Sequence, residues 1–330
     1  MILSKVINKM RKNAKNPKIV VIIGPTASGK SALAVKIAGK FNGEIVSADS
    51  RQIYRGMDIG TAKPTKKEMA GIKHHLIDIK NPNEDYSAGQ YKKDAVKTIN
   101  KITDAGKLPI LVGGTGLYIS TVVNNWAIPE IKESKKLRLK LEKEIDKKGL
   151  DFVFKKLIKI DPETAYIIDP KNPRRVIRAL EIALLSGKKF SEQRKVGEPL
   201  YNVLEIGLNP PLEILKERIT KRIALMIKTG LINEVKRLVK KYGYKQRVFD
   251  AIDYREIIDY LRKNISLKES IMQMNTNTIR YAKRQMTWFK KYNSSAHWLK
   301  NPASLKLRRA SKNEACLRRQ AFGLVKKFLD

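Results

Sequence analysis

The sequence predicts an α/β protein: a parallel-sheet core interrupted by a helical insertion. Three observations carry this. Short apolar runs such as Ile19-Val20-Val21-Ile22-Ile23 alternate with helical stretches, as buried parallel strands and their crossovers do. The first run leads into Gly24-Pro25-Thr26-Ala27-Ser28-Gly29-Lys30-Ser31, which fits the phosphate-cradling pattern G-x-x-x-x-G-K-[ST]. From about residue 129 to 200 strand character gives way to charged helical patterning.

Residues 1–18 form a basic arm without an acidic residue. Residues 19–128 read as the first part of a P-loop NTPase-like core. Strands are expected at Ile19–Ile23, Glu44–Ala48, Leu76–Ile79 and Leu108–Val112. A helix is expected over Ser31–Ala38. Another is expected over Ser87–Ala105, where Ala88, Tyr91, Ala95, Ile99 and Ile102 recur at helical spacing. After the insertion at 129–200, Tyr201–Gly207 returns to strand character and opens the second, mostly helical part of the core, 201–299. Long helices are expected over Leu212–Tyr242 and Ser266–Tyr292. Residues 300–330, with Arg308-Arg309 and Arg318-Arg319, read as a basic tail.

Hydrophobic residues make up 42% of the 330, enough to build a core. No apolar run approaches the length needed to span a bilayer, and the basic arm lacks the apolar stretch of a secretory signal. The single cysteine, Cys316, excludes an internal disulfide and a cysteine metal cluster. A reducing cytoplasm and a monomer are expected. Sixty-nine Lys and Arg face 32 Asp and Glu, for a net charge of +37. Such an excess self-repels unless a polyanion neutralises it, and nucleic acid is the obvious partner. A generally lysine-rich composition explains part of it. The arginines are more telling because they cluster.

Several residue sets carry chemistry. In the P-loop, backbone N–H groups and a helix N-terminus surround an anion, Lys30 reaches its phosphates and the Ser31 hydroxyl can ligate Mg²⁺. Ligands in such sheets sit beyond the carboxyl ends of the strands, where Asp49 and Gly113-Gly114-Thr115-Gly116 also fall. Asp49 is either a general base or a cap for the next segment. Asp78 in its apolar run is only weakly like a Walker B carboxylate. His74-His75 reads as structural, since adjacent side chains diverge. Arg174, Arg175 and Arg178 cluster on the insertion. Arg280, Lys283 and Arg284 cluster beside Trp288 and Phe289. Arginine forks suit phosphate oxygens, while the two aromatics read as core.

The set GPTASGKS (24–31), DSRQIYRGMDIGTAKP (49–64), HHLIDI (74–79), LVGGTGLYI (111–119), NPRRVIRALEI (172–182) and RYAKRQMTWF (280–289) resembles the bacterial-type tRNA dimethylallyltransferase family, with all six motifs in family order. The resemblance implies transfer of a dimethylallyl group from dimethylallyl diphosphate to N6 of the adenosine 3′ of the anticodon. Gly24, Pro25, Thr26, Ala27, Ser28, Gly29, Lys30 and Ser31 would hold the diphosphate with Mg²⁺, helped by Arg218 and Arg222. Asp49 would take the N6 proton, with Thr115 assisting. Ser50, Arg51 and Gln52 would line the target base. Arg138, Arg174, Arg175, Val176, Ile177 and Arg178 would contact the anticodon arm, with Arg255, Arg280, Lys283 and Arg284 as further tRNA contacts. One departure stands out: where the family usually has Gly-Tyr-Arg-Gln or Gly-Tyr-Arg-Glu, this chain reads Asp253-Tyr254-Arg255-Glu256. The rival readings are a P-loop small-molecule or nucleotide kinase, an adenylate dimethylallyltransferase, and a nucleic-acid-binding ATPase or scaffold. None of these needs both the arginine-rich insertion and the convergence of Asp49 with the loop.

Overall fold

The computed structural model describes residues 16–129, 131–193, 196–299 and 310–330. In chain order the elements begin with β1 (Lys18–Ile23), α1 (Lys30–Lys40), β2 (Gly43–Ser47), α2 (Lys66–Met69), β3 (His74–His75), α3 (Ala88–Asp104), β4 (Leu108–Val112) and α4 (Gly116–Val123). Then come α5 (Lys135–Lys148), α6 (Leu150–Ile160), α7 (Thr164–Ile167) and α8 (Pro173–Ser186). The chain continues with β5 (Asn202–Leu208), α9 (Leu212–Lys228), α10 (Leu231–Tyr242), α11 (Tyr254–Leu261), α12 (Leu267–Tyr292), β6 (His297–Leu299) and α13 (Ala310–Leu329). The chain divides into two compact units, one of residues 1–123 and 199–330, the other of 124–198.

The larger unit is built on a six-stranded sheet of order β3-β2-β4-β1-β5-β6 with every pairing parallel. The apolar runs are strands because both faces of the sheet are covered. Alternation along β1 shows this directly. Ile19, Val21 and Ile23 enter one layer with Tyr91, Ala95 and Ile99 of α3 and Ile119 of α4. Val20 and Ile22 enter the other with Leu33, Ala34 and Ile37 of α1 and Ala321 and Val325 of α13. A third cluster joins Ile53, Tyr54 and Met57 to α9, α10, α11 and α12. Among the described residues, no helix is long and apolar enough to cross a membrane.

Three expectations are corrected. The strand expected at Leu76–Ile79 lies earlier, at His74–His75, because Leu76 (φ 61°) and Asp78 (φ 55°) take left-handed conformations that end the extended chain. His75 Nε2 lies 2.6 Å from Glu44 Oε2, and Lys63 Nζ donates to Asp78 Oδ1 at 2.6 Å. These contacts give both residues structural partners. The helix expected over Leu212–Tyr242 is two, α9 and α10, broken at Gly230 with φ 106°. The basic tail contains α13, whose Ala321 and Val325 are fully buried while Arg318 and Arg319 face outward. Arg308 and Arg309 lie outside the described residues, as does the basic arm to residue 15.

The smaller unit packs Leu141 of α5, Val153 and Leu157 of α6 and Val176, Ile177 and Leu180 of α8 into one core. Its α8 starts well defined: Asn172 Oδ1 accepts from the Arg175 amide at 3.2 Å and Pro173 occupies the first turn, where a missing N–H costs nothing.

Candidate active site

The sheet order decides which loops meet. β4 lies between β2 and β1, with Val112 in register with both Ser47 and Ile22. The segments leaving these strands, Gly24–Gly29, Ala48–Gln52 and Gly113–Thr115, therefore emerge together. Their approach is close enough to restrict residue type. A Cβ on Gly113 would lie 2.1 Å from the Ala48 carbonyl oxygen, and one on Gly24 would lie 2.6 Å from the Leu208 carbonyl oxygen. Gly24 also has φ 147°, a region that glycine alone adopts readily.

The P-loop bends around the start of α1. Lys30 Nζ donates to the Pro25 carbonyl at 3.0 Å. Burial lowers its pKa to about 8, with Asp49 opposing the shift and Arg222 adding to it. Arg218 and Arg222, four apart on one face of α9, both reach the loop. Arg222 Nη1 donates to Thr26 Oγ1 at 2.9 Å, and Arg218 Nη1 lies 3.4 Å from the Ala27 carbonyl oxygen. Ser28 Oγ is buried without a hydrogen-bond partner, and the Ser31 side chain is exposed. One hydroxyl beside a phosphate cradle is a donor set that fits Mg²⁺, an ion held mainly by phosphate oxygens and water.

Asp49 caps the segment that follows it. Its Oδ1 accepts from the Arg51 amide at 2.8 Å and the Gln52 amide at 3.3 Å, anchoring the next turn. Oδ2 has no hydrogen-bond partner among the described residues. Thr115 Oγ1 accepts from the Ser50 amide at 3.0 Å, so the β2 and β4 loops are joined at the acid. Arg51 Nη1 donates to the Val248 carbonyl at 3.2 Å, and Gln52 Nε2 to the Thr61 carbonyl at 3.2 Å.

Two residues of α12 were missed by sequence reasoning. Gln285, 5% exposed, accepts from the Thr26 amide and donates to the Gly114 carbonyl, each at 2.8 Å. It thereby fastens the P-loop to the β4 loop. Tyr281 lies one turn before Gln285 on α12, and burial followed by the Asp49 charge pushes its hydroxyl up to about 12. The available signal was the place of Gln285 on a stripe with Ser270, Met274, Thr278, Ala282 and Phe289. Of the two neighbouring aromatics, Phe289 is fully buried and Trp288 is partly buried with Nε1 donating to Ser120 Oγ at 3.2 Å. Both belong to the core.

The family model for IPP transferases matches residues 52–292. The chain belongs to the tRNA dimethylallyltransferase (IPP transferase) family. It is 48% identical to the tRNA dimethylallyltransferase of Caldanaerobacter subterraneus over 284 residues, 83% of this chain and 89% of that one. With the Bacillus anthracis enzyme it shares 47% over 275 residues, 83% and 88% of the two chains. The full-length tRNA isopentenylpyrophosphate transferase of Bacillus halodurans superposes with a TM-score of 0.67 at 39% identity, covering 95% of this chain and 98% of that one. A eukaryotic dimethylallyltransferase acting on tRNA superposes with a TM-score of 0.79 at 29% identity, covering 95% and 79%. The chain is thus an enzyme of this family, and its parallel-sheet architecture is the family fold.

The arginines expected to meet RNA divide into two kinds. In the smaller unit, Arg138 Nη2 and Arg178 Nη1 both donate to Glu181 Oε2, at 2.7 and 2.6 Å, and Arg138 also pairs with Glu133 at 2.7 Å. Glu181 is fully buried. Burial would raise its pKa, but Arg138, Arg178 and the Ser134 amide outweigh that and lower it. Val176 and Ile177 turn inward at 0% and 7% exposure. By contrast Arg174 and Arg175 are exposed. So are Arg280, Lys283 and Arg284 along α12 of the larger unit, and Arg255 keeps a half-exposed side chain with Nε donating to Glu256 Oε1 at 2.8 Å.

Proposed function

We propose that this enzyme transfers a dimethylallyl group from dimethylallyl diphosphate to N6 of the adenosine 3′ of the anticodon in tRNA. What supports this reading above all is the convergence of the P-loop, Asp49 and Thr115, held by Gln285, at one edge of the sheet. Residues 24–31 hold the diphosphate through backbone N–H groups, with Lys30, Arg218 and Arg222 as cations. Ser31 would hold Mg²⁺, which would neutralise charge on the leaving diphosphate. An exocyclic amine is a weak nucleophile, so it must be aligned and relieved of a proton. The target adenine leaves its stack and enters beside Ser50, Arg51 and Gln52. N6 attacks the allylic carbon, the carbon–oxygen bond to diphosphate breaks, and the N6 proton passes to Asp49 Oδ2 while Oδ1 keeps its backbone anchors. Fixed cations stabilise the departing diphosphate.

The RNA is held by basic surface, with Arg174, Arg175, Arg280, Lys283, Arg284 and Arg255 as the contacts this reading favours. Arg138 and Arg178 shape the helix that presents Arg174 and Arg175. The test is incubation with dimethylallyl diphosphate labelled in its allyl carbons, together with unmodified tRNA or AMP. Label in tRNA, mapped to the adenosine 3′ of the anticodon, is expected. Label in AMP with none in tRNA would overturn the RNA reading, and label in neither would overturn the transfer.

A further inference from the structure

Glu234 is an interior carboxylate whose hydrogen-bond donors are all uncharged. It sits in the first turn of α10, 4% exposed, on the turn that carries Leu231 and Val235 into the third apolar cluster. Oε2 accepts from the Asp58 amide at 3.1 Å and the Ile59 amide at 2.8 Å. Oε1 accepts from the Gly60 amide at 3.2 Å and the Tyr254 hydroxyl at 2.6 Å. Residues 58–60 belong to no strand or helix. Their amides therefore lack a partner in regular structure, and the carboxylate supplies one. The segment is also pressed against α11: a Cβ on Gly60 would lie 2.5 Å from the Tyr254 ring.

The same segment anchors Gln52. Gln52 Nε2 donates to the Thr61 and Ala62 carbonyls, at 3.2 and 3.3 Å. Carbonyl oxygens only accept, so the nitrogen must face them and Oε1 is left as the acceptor the side chain can offer. The Gln52 amide is held in turn by Asp49 Oδ1 at 3.3 Å. Gln52 is thus fixed at its backbone by the acid of the site and at its side chain by the loop that Glu234 holds. Lys63 adds a second fastening. Its Nζ donates to the Tyr54 carbonyl at 2.9 Å and to the Asp58 and Asp78 carboxylates, each at 2.6 Å.

We propose that Glu234 is a positioning residue for the target base: it fixes residues 58–60, and through the Thr61 and Ala62 carbonyls it sets where the Gln52 side chain stands and which way round its amide lies. The inference rests on reading Ser50–Gln52 as the lining of the base. Glu234 itself touches no substrate. A contact made equally before and during transfer changes the substrate concentration needed and leaves the limiting rate alone. The mark of Glu234 is therefore expected on tRNA saturation, and neither on the chemical step nor on the diphosphate.

The experiment is single-turnover transfer to unmodified tRNA at saturating dimethylallyl diphosphate, with the half-saturating tRNA concentration and the limiting rate measured separately. It compares the full chain as wild type, Glu234→Gln, Gln52→Ala and the double variant. Glutamine keeps the shape of Glu234 but turns one acceptor into a donor, which then faces another donor. Glu234→Gln is expected to raise the half-saturating tRNA concentration about three- to tenfold, the worth of one hydrogen bond. The limiting rate should stay within about threefold of wild type, and calorimetry should show unchanged affinity for inorganic pyrophosphate with Mg²⁺. On top of Gln52→Ala the same change should add less than about twofold, because a residue that acts through Gln52 then has nothing left to position. Full additivity of the two changes, or wild-type half-saturation in a variant that only unfolds more easily, overturns the inference and leaves the carboxylate a structural role. Should Glu234→Gln fold poorly, Tyr254→Phe removes one bond to the carboxylate and keeps the ring against Gly60. It should shift half-saturation in the same direction by a smaller factor, and no shift overturns the inference as well. Wild-type saturation by Gln52→Ala overturns the reading of Ser50–Gln52 as the base lining, and the inference with it.

Discussion

The molecule contains two buried charge clusters built to opposite plans. In the smaller unit, Glu181 accepts from Arg138, Arg178 and the Ser134 amide, and Arg178 spends its other amino group on the Ile131 carbonyl at 2.8 Å. In the larger unit, the charges of Lys30 and Arg222 are opposed by Asp49, and Ser28 Oγ, Arg222 Nε and Asp253 Oδ1 are buried without hydrogen bonds. A satisfied cluster holds helices in place. Buried polar atoms left open are costly, and they persist where a ligand completes them. Clustered arginines in a sequence therefore do not announce their purpose. The deciding fact is whether a carboxylate in the fold already claims them.

Removing the carboxylate from the closed cluster should have the largest effect. Glu181→Ala leaves two guanidinium groups uncompensated, and urea unfolding should lose about 3–5 kcal/mol. A loss below about 1 kcal/mol would mean that water already screens the pair. The pH dependence has a definite sign. The folded-state pKa of Glu181 is lowered from 4.5, so its contribution is present above the unfolded value and lost as pH falls through the folded one. The wild type should therefore lose stability in acid below about pH 4.5 more steeply than the variant.

A smaller effect separates the two kinds of arginine. The double change Arg174→Ala with Arg175→Ala should leave unfolding within about 0.5 kcal/mol of wild type. Filter binding should show weaker tRNA affinity and a salt slope reduced by about 1.5 to 2. An unchanged slope would remove both side chains from the RNA surface.

Much of the fold was legible because local patterns and tertiary burial agree. Leu108–Val112 reads as a strand and is one, and the capping pair Ser87 and Gln90 opens α3 where the apolar spacing begins. The errors lie where backbone conformation overrides side-chain pattern. Leu76 and Ile77 look like strand residues, yet positive φ at Leu76 and Asp78 turns the chain. Gly230 divides a helix whose apolar stripe runs on through Leu231 and Val235. At the site, the glycine motif and Asp49 were readable because each follows its own strand. Gln285 was not, because its two bonds reach Thr26 and Gly114, 259 and 171 residues away in the chain. The pairing of Arg138 with Glu181 was not legible for the same reason, since the two are 43 residues apart.

The claim on which the account depends is that Asp49 accepts a proton from a nucleophile aligned against the P-loop ligand. Single-turnover transfer by Asp49→Asn, with tRNA binding measured in parallel, tests it most directly. The account predicts a rate about 10²–10⁴-fold below wild type, the usual contribution of a positioned general base, with tRNA affinity within a few-fold. Transfer within about tenfold of wild type, a deficit too small for such a base, would contradict it.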